Sequence, residues 1–229
     1  MPAQSKVLRI GVMLEDVQLS DIVAVDIFGN LSREYMDLVK TLLPSSAQYD
    51  SHALDMEFLY LATTCGTPAK MTPGITYNPT VTYDACPRDL DMVIVGGPVL
   101  THRPPQADRF MREAWSRTPV WLTTCIGSMW LASTGLLEGR KVTTNKEVLG
   151  LAREMYPGVE WVTQRWVVEE KPFDGPGGKG ELWTAGGAGA GIDMFANYCL
   201  EKYDPGFVKT LALEPLEFNP EGTNGQFYD

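Results

Sequence analysis

Cys125 stands at the point where an apolar strand gives way to a helix. The segment 120–124 (VWLTT) is typical of a buried strand, and residues 128–137 have the apolar spacing of a helix. A side chain on such a turn projects over the sheet edge, as the serine of a nucleophile elbow does. The helix N-terminus favours a thiolate, so we predict that Cys125 is a nucleophile and the most reactive of the four cysteines. A buried, inert thiol is the alternative.

Two glycines, Gly96 and Gly97, follow another apolar run, the predicted strand 92–95 (MVIV). A plain tight turn would be enough to explain them. In the functional interpretation, this strand ends beside Cys125. The backbone N–H groups of Gly97 and Ile126 would then hold the negative charge that develops on a substrate.

Three carboxylates follow the first predicted strand, residues 7–14. They lie in the segment 15–21 (EDVQLSD) and are Glu15, Asp16 and Asp21. Asp21 begins a predicted helix, where a carboxylate is favourable as a cap or first-turn charge, and the other two could be solvated loop charges. In the functional interpretation, one of the three hydrogen-bonds to the cysteine or to a substrate and acts as acid or base.

Metal and nucleotide sites are not predicted. The four cysteines have neither CxxC nor zinc-knuckle spacing, and there are only two histidines, His52 and His102. No dinucleotide or phosphate-loop fingerprint is present, and the glycine-rich run 186–191 has no lysine beside it. We therefore expect a protein that needs no cofactor and no metal.

The net charge limits the classes of partner, and the apolar runs and the N-terminus indicate the compartment. The chain has 19 basic and 29 acidic residues, a net charge of −10, which should repel nucleic acid and anionic lipid. No apolar run is long enough for a membrane span, and the N-terminus lacks the features of a signal peptide. A cytoplasmic protein with reduced cysteines and a small-molecule substrate is the expectation.

Apolar runs and amphipathic stretches alternate along the chain. Predicted strands cover residues 7–14, 56–62, 92–95, 120–124, 161–169 and 182–185, and predicted helices cover 21–43, 106–116, 128–137, 146–155 and 191–202. This order predicts a single α/β domain, a three-layer sandwich around a mostly parallel sheet, with a core at about 7–203 and a C-terminal tail at 204–229. Ligands of such sheets bind at the carboxyl ends of strands, which are the loops after residues 14, 95 and 124.

Several motifs in the right order resemble the ThiJ/PfpI superfamily, which has a class I glutamine amidotransferase-like fold of flavodoxin type. The similar segments are residues 120–145 (VWLTTCIGSMWLASTGLLEGRKVTTN), 91–98 (DMVIVGGP), 165–170 (RWVVEE) and 181–194 (ELWTAGGAGAGIDM). The resemblance runs from about residue 7 to 203 and is closest to the isocyanide hydratase-like members. It implies a homodimer, and it identifies the glycine-rich run as a close-packed turn beneath the nucleophile.

The resemblance also assigns roles, with two departures. The segment 16–22 (DVQLSDI) is similar to the one that carries the acidic residue of isocyanide hydratase, which implies that role for Asp21. Asn145 stands where members often have a histidine, so no Cys–His pair forms there and a protease is not expected. Ile126 replaces a residue that is commonly Thr, Ala or His, so a polar neighbour of Cys125 is lost.

The resulting hypothesis is a cofactor-independent cysteine enzyme. Cys125 would attack an electrophilic carbon of a small organic molecule, Asp21 would handle the proton, and the reaction would be a hydration, hydrolysis or lyase-type addition. The alternatives are a cysteine redox sensor and a chaperone-like stress protein. Participation by Glu15, Asn145 or His102 is left open, although His102 is expected to be a surface histidine.

Overall fold

The computed structural model describes residues 6–218, which form a seven-stranded sheet and two small two-stranded sheets. The strands are β1 Leu8–Met13, β2 Met56–Ala62, β3 Ala69–Met71, β4 Ile75–Tyr77, β5 Val81–Thr82, β6 Met92–Val95, β7 Val120–Thr123, β8 Lys141–Val142, β9 Glu160–Trp161, β10 Trp166–Pro172 and β11 Lys179–Ala185. The main sheet has the order β10-β11-β7-β6-β1-β2-β5. All its pairings are parallel except β10 with β11.

Helices cover both faces of the sheet. They are α1 Val25–Gly29, α2 Arg33–Leu42, α3 Pro105–Ala114, α4 Gly127–Ala132, α5 Leu149–Met155, α6 Ala188–Lys202 and α7 Pro205–Val208. Side chains of α1, α2, α6 and α7 belong to one apolar cluster and those of α3, α4 and α5 to another. No described helix is both long enough and apolar enough to span a membrane.

The central strands are apolar because both of their faces are covered. All four residues of β6 are buried: Met92 and Ile94 join one cluster, and Val93 and Val95 join the other. The predicted three-layer α/β sandwich with a mostly parallel sheet is confirmed.

The predicted single helix over residues 21–43 is wrong. The chain instead forms a 3-10 turn at Leu19–Asp21 and the separate helices α1 and α2. The second helix starts anew because the Ser32 hydroxyl caps it, accepting a hydrogen bond from the backbone N–H of Tyr35 at 3.1 Å. Asp21 ends the 3-10 turn and precedes α1, whose N-cap position is Ala24, so it does not begin a long helix.

The apolar core extends beyond Tyr203, where the sequence placed its end. Helix α7 and the following turn of π-helix, Lys209–Leu213, bury Phe207, Val208 and Leu211 in the cluster that contains α6. Residues 204–213 are therefore packed structure. Residues 219–229 of the predicted tail lie outside the described part of the chain.

Candidate active site

The carboxyl ends of β1, β6 and β7 bring the predicted site residues together. Asp21, Gly97, Cys125 and Ile126 meet there, and Asn145 joins them from the segment after β8. These residues come from distant parts of the chain, and the parallel sheet aligns the strand ends that precede three of them.

Cys125 lies on the turn between β7 and α4 in a left-handed backbone conformation, with φ at 57°. Its N–H donates to the Gly186 carbonyl at 2.6 Å. Its own carbonyl accepts hydrogen bonds from the hydroxyls of Thr144, at 2.9 Å, and Ser128, at 3.2 Å. The backbone of Cys125 is thus held by three hydrogen bonds.

Close packing requires glycine at two positions that lie near each other in the fold, 97 and 127. A Cβ on Gly127 would lie 2.4 Å from the Val95 carbonyl oxygen, and one on Gly97 would lie 2.7 Å from Asp21 Oδ2 and 2.8 Å from Ile126 Cγ1. The start of α4 therefore packs directly on the end of β6, and the backbone of Gly97 reaches the Asp21 carboxyl group.

Asp21 is buried, with 2% of its surface exposed, and it caps no helix. Its Oδ2 accepts a hydrogen bond from the Gly97 N–H at 3.1 Å. Oδ1 has no hydrogen-bond partner among the described residues. The Cys125 thiol interacts with the same carboxyl group. The Gly97 N–H, predicted to hold charge on a substrate, is occupied by Asp21 and could serve a substrate only after leaving it.

The pKa values of the two groups are displaced in the same direction. Burial raises the pKa of Asp21 to about 6, although hydrogen bonds from Gly97 and Cys125 oppose the change. Burial and then the charge of Asp21 raise the pKa of Cys125 to about 11, against the opposing effects of Asn145 and the Ile126 N–H. At neutral pH the pair is a thiol beside a carboxylate.

The prediction of a thiolate at Cys125 is therefore wrong. The sulfur is buried beside the carboxylate of Asp21, and both effects raise the pKa of the thiol. Cys65 is the exposed cysteine, and Cys86 and Cys199 are buried. Toward small reagents at neutral pH, exposure favours Cys65 as the fastest thiol.

Asn145 occupies the position at which the resemblance would place a histidine. Its Nδ2 lies 3.5 Å from Cys125 Sγ, and its Oδ1 accepts a hydrogen bond from the Glu147 N–H at 3.0 Å. Because the oxygen is committed to this cap, the amide nitrogen faces the sulfur. An amide cannot take a proton as a base, but it can stabilise negative charge on sulfur.

A small cavity of about 150 Å³ opens beside Cys125. Its wall consists of Cys125, Gly97, the apolar Pro98, Val99 and Ile126, and the polar Asp16, Gln18 and Thr72. Pockets for drug-sized ligands are roughly 300–1,000 Å³, so this space suits only a small molecule or the narrow end of one.

His102 is not the surface histidine that was predicted, because only 12% of its side chain is exposed. Its Nδ1 lies 3.0 Å from Asp16 Oδ2 and its Nε2 lies 3.6 Å from Glu15 Oε2. Glu15 also accepts hydrogen bonds from Thr63. Burial acts to raise the pKa of Glu15, but the bonds from His102 and Thr63 outweigh it and the pKa is lowered. Glu15 and Asp16 hold His102 and are not simply solvated loop charges.

Sequence comparison identifies a family and a relative that this chain resembles. The sequence profile described as the DJ-1/PfpI family matches residues 33–198. The isonitrile hydratase of Pseudomonas putida is 28% identical over 158 residues, which are 67% of this chain and 62% of that protein. The chain thus matches less than two thirds of the length of this curated relative, and the match is modest in identity.

Solved structures agree on the fold. A THiJ/PfpI family protein from Pseudomonas syringae has a TM-score of 0.70 at 19% identity, over 95% of this chain and 78% of the other. DJ-1 of Schizosaccharomyces pombe has a TM-score of 0.61 at 13% identity, over 89% of this chain and 96% of the other. The family profile covers most of the chain, including Cys125 and Asn145, and the chain belongs to the DJ-1/PfpI family.

Proposed function

We propose that the protein is a cofactor-independent cysteine enzyme that adds water to a small isonitrile. The observation that carries the proposal is the buried thiol of Cys125 beside the buried carboxylate of Asp21. The similarity to an isonitrile hydratase supports the choice of substrate class. A neutral thiol paired with a base supplies a nucleophile and a proton together, and an isonitrile carbon must receive both.

In the first step, Asp21 takes the thiol proton while Sγ of Cys125 forms a bond to the isonitrile carbon. The S–H bond breaks, the S–C bond forms, and Asp21 returns the proton to the same carbon. The product is a neutral thioimidate on Cys125, and no oxidant or reductant is needed. Asn145 Nδ2 and the Ile126 N–H stabilise the negative charge on sulfur as the proton leaves.

In the second step, water adds to the thioimidate carbon and Asp21, again a carboxylate, accepts its proton. The proton passes to the substrate nitrogen, the C–S bond breaks, and the hydroxyl proton returns to sulfur. The released product is an N-substituted formamide, so that isonitrile and water are consumed in equal amounts. General acid–base help of this kind contributes roughly 100- to 10,000-fold to the rate.

The test is turnover of a small alkyl isonitrile by the purified protein, with formamide measured by NMR. The rate should be proportional to protein concentration and should be abolished in Cys125→Ser. Cys65→Ser, which changes an exposed cysteine, is the matched control and should retain the wild-type rate. Absence of turnover, or full activity in Cys125→Ser, would contradict the proposal.

The redox-sensor alternative needs a thiolate that oxidants can reach. Burial and a raised pKa at Cys125 argue against it. A sensor would accumulate sulfinic acid at Cys125 in dilute peroxide and would show no turnover, so the two functions are distinguished by mass spectrometry and rate measurements on the same preparation.

A further inference from the structure

Asp16 is the charged residue of the cavity wall; the other residues that line the cavity among residues 6–218 are neutral. Its backbone is fixed at a left-handed φ of 55°. The Asp16 N–H donates to the Lys70 carbonyl at 2.7 Å, and its carbonyl accepts from the Val99 N–H at 3.3 Å. The residue is therefore anchored on both sides at the rim of the site, where 46% of its side chain is exposed.

The carboxylate of Asp16 is held by a partly buried chain of contacts. His102 Nδ1 lies 3.0 Å from Asp16 Oδ2, and the ring packs edge-on against Trp130 with 5.5 Å between centroids. Behind His102, Glu15 is fixed by the backbone N–H and hydroxyl of Thr63 at 2.9 and 2.7 Å. His102 is thus a positioning residue that keeps a negative charge at a set place beside the cavity.

A fixed carboxylate in the wall of an otherwise neutral, partly apolar cavity discriminates between ligands by charge. A positive group or a strong N–H or O–H donor gains an attraction there, an alkyl group gains none, and an anion is repelled. No residue that lines the cavity carries a positive charge. His102, outside the lining, contacts the carboxyl groups of both Asp16 and Glu15, so even a protonated His102 leaves this group of three with an excess of negative charge.

We propose that Asp16 is a specificity-determining residue that selects small substrates carrying an ammonium or another hydrogen-bond donor a few atoms from the carbon that Cys125 attacks. The substrate class rests on the proposed function, whereas the charge preference of the cavity does not. Because Asp16 is about half exposed, the preference should be about fivefold or less, as for other solvent-accessible ion pairs.

The first experiment compares kcat/KM for aminopropyl isonitrile and butyl isonitrile, which have the same number of heavy atoms. Wild-type protein should prefer the ammonium compound by about threefold to fivefold, and Asp16→Asn should lose the preference. Asparagine tolerates the left-handed backbone, so this variant should fold normally. Glu57→Gln, an equal charge change at the amino end of β2, is the control and should keep the preference.

The second experiment needs no turnover. The rates at which aminoethyl and methyl methanethiosulfonate modify Cys125 are measured by site-resolved mass spectrometry, with Cys65 as internal reference. The cationic-to-neutral ratio at Cys125, normalised to Cys65, should be higher in wild-type protein than in Asp16→Asn and unchanged in Glu57→Gln. An equal ratio in wild type and Asp16→Asn would overturn the inference.

The two experiments separate the two proposals. If isonitriles are not hydrated but the thiosulfonate ratio depends on Asp16, the proposed reaction is wrong and the charge selection stands. If isonitriles are hydrated but neither ratio depends on Asp16, the reaction stands and the charge selection is wrong.

Discussion

Asp21 Oδ2 accepts a hydrogen bond from the backbone N–H of Gly97 at 3.1 Å, across 76 residues of sequence. The same carboxyl group also interacts with the Cys125 thiol. Glycine suits position 97 because a Cβ there would come within 2.7 Å of the same oxygen. The carboxyl group for which we propose proton transfer is therefore held by the backbone at the end of β6.

Removing the Asp21 charge should lower the pKa of the Cys125 thiol, because that charge is one of the two main causes of its rise to about 11. In Asp21→Asn, the pH at which iodoacetamide labelling of Cys125 reaches half its maximum rate should fall. Site-resolved mass spectrometry measures it. Asp26→Asn, at an exposed position on α1, is the control, and an equal effect of both variants would refute the assignment.

Asp21 should make the wild-type protein less stable as pH rises. Its folded pKa, about 6, is above the ordinary value of 3.8, so the native state holds the proton more tightly. The associated stability is fully present below pH 3.8 and is lost as pH passes 6, an effect of about 3 kcal/mol. Asp21→Asn should therefore unfold at higher denaturant than wild type at pH 7.5, with little difference at pH 4. A difference in denaturant midpoint between the two proteins that is the same at both pH values would contradict this prediction.

Asn145→Asp should slow the alkylation of Cys125 by roughly tenfold, because the donor to sulfur is replaced by a negative charge. The cap on Glu147 is retained, since a carboxylate oxygen also accepts its N–H. Melting temperature should stay near that of wild type. A normal labelling rate together with normal stability would mean that the contact of 3.5 Å between Nδ2 and Sγ has no effect on the thiol.

Gly127→Ala should destabilise the protein by about 1–3 kcal/mol, because the new methyl group would lie 2.4 Å from the Val95 carbonyl oxygen. Gly150 on α5 is the matched control: a Cβ there meets nothing within 4 Å. Gly150→Ala should stabilise by about 0.5–1 kcal/mol through helix propensity. Denaturant unfolding of both variants measures the difference, and equal effects would show that close packing at Gly127 is unimportant.

Most strand positions followed from apolar composition. The predicted strand over residues 161–169 is wrong, because β9 ends at Trp161 and β10 begins at Trp166. Residues 56–62 and 92–95 were predicted with the bounds that the structure has. The helix boundaries after Asp21 were not predicted correctly, because the amphipathic spacing continues across the two short helices α1 and α2. The Ser32 cap, three residues before Tyr35, was the available signal for the break.

The members of the site could be proposed from strand ends, but their electrostatics could not. The pKa of Cys125 depends on how completely the sulfur is buried and on the nearby Asp21 charge, both set by contacts between distant segments. The surroundings of His102 also depend on tertiary contacts, because its carboxylate partners precede it by more than 80 residues. Local sequence shows neither.

The left-handed backbone of Cys125 has a consequence for directed evolution. A β-carbon at φ 57° costs roughly 1–2 kcal/mol that glycine avoids. Selection of a library for thermal resistance alone would thus favour variants with glycine at this position, and the thiol would be lost. Stability favours glycine at residue 125 and the proposed chemistry needs cysteine, so a screen of this protein must measure both stability and activity.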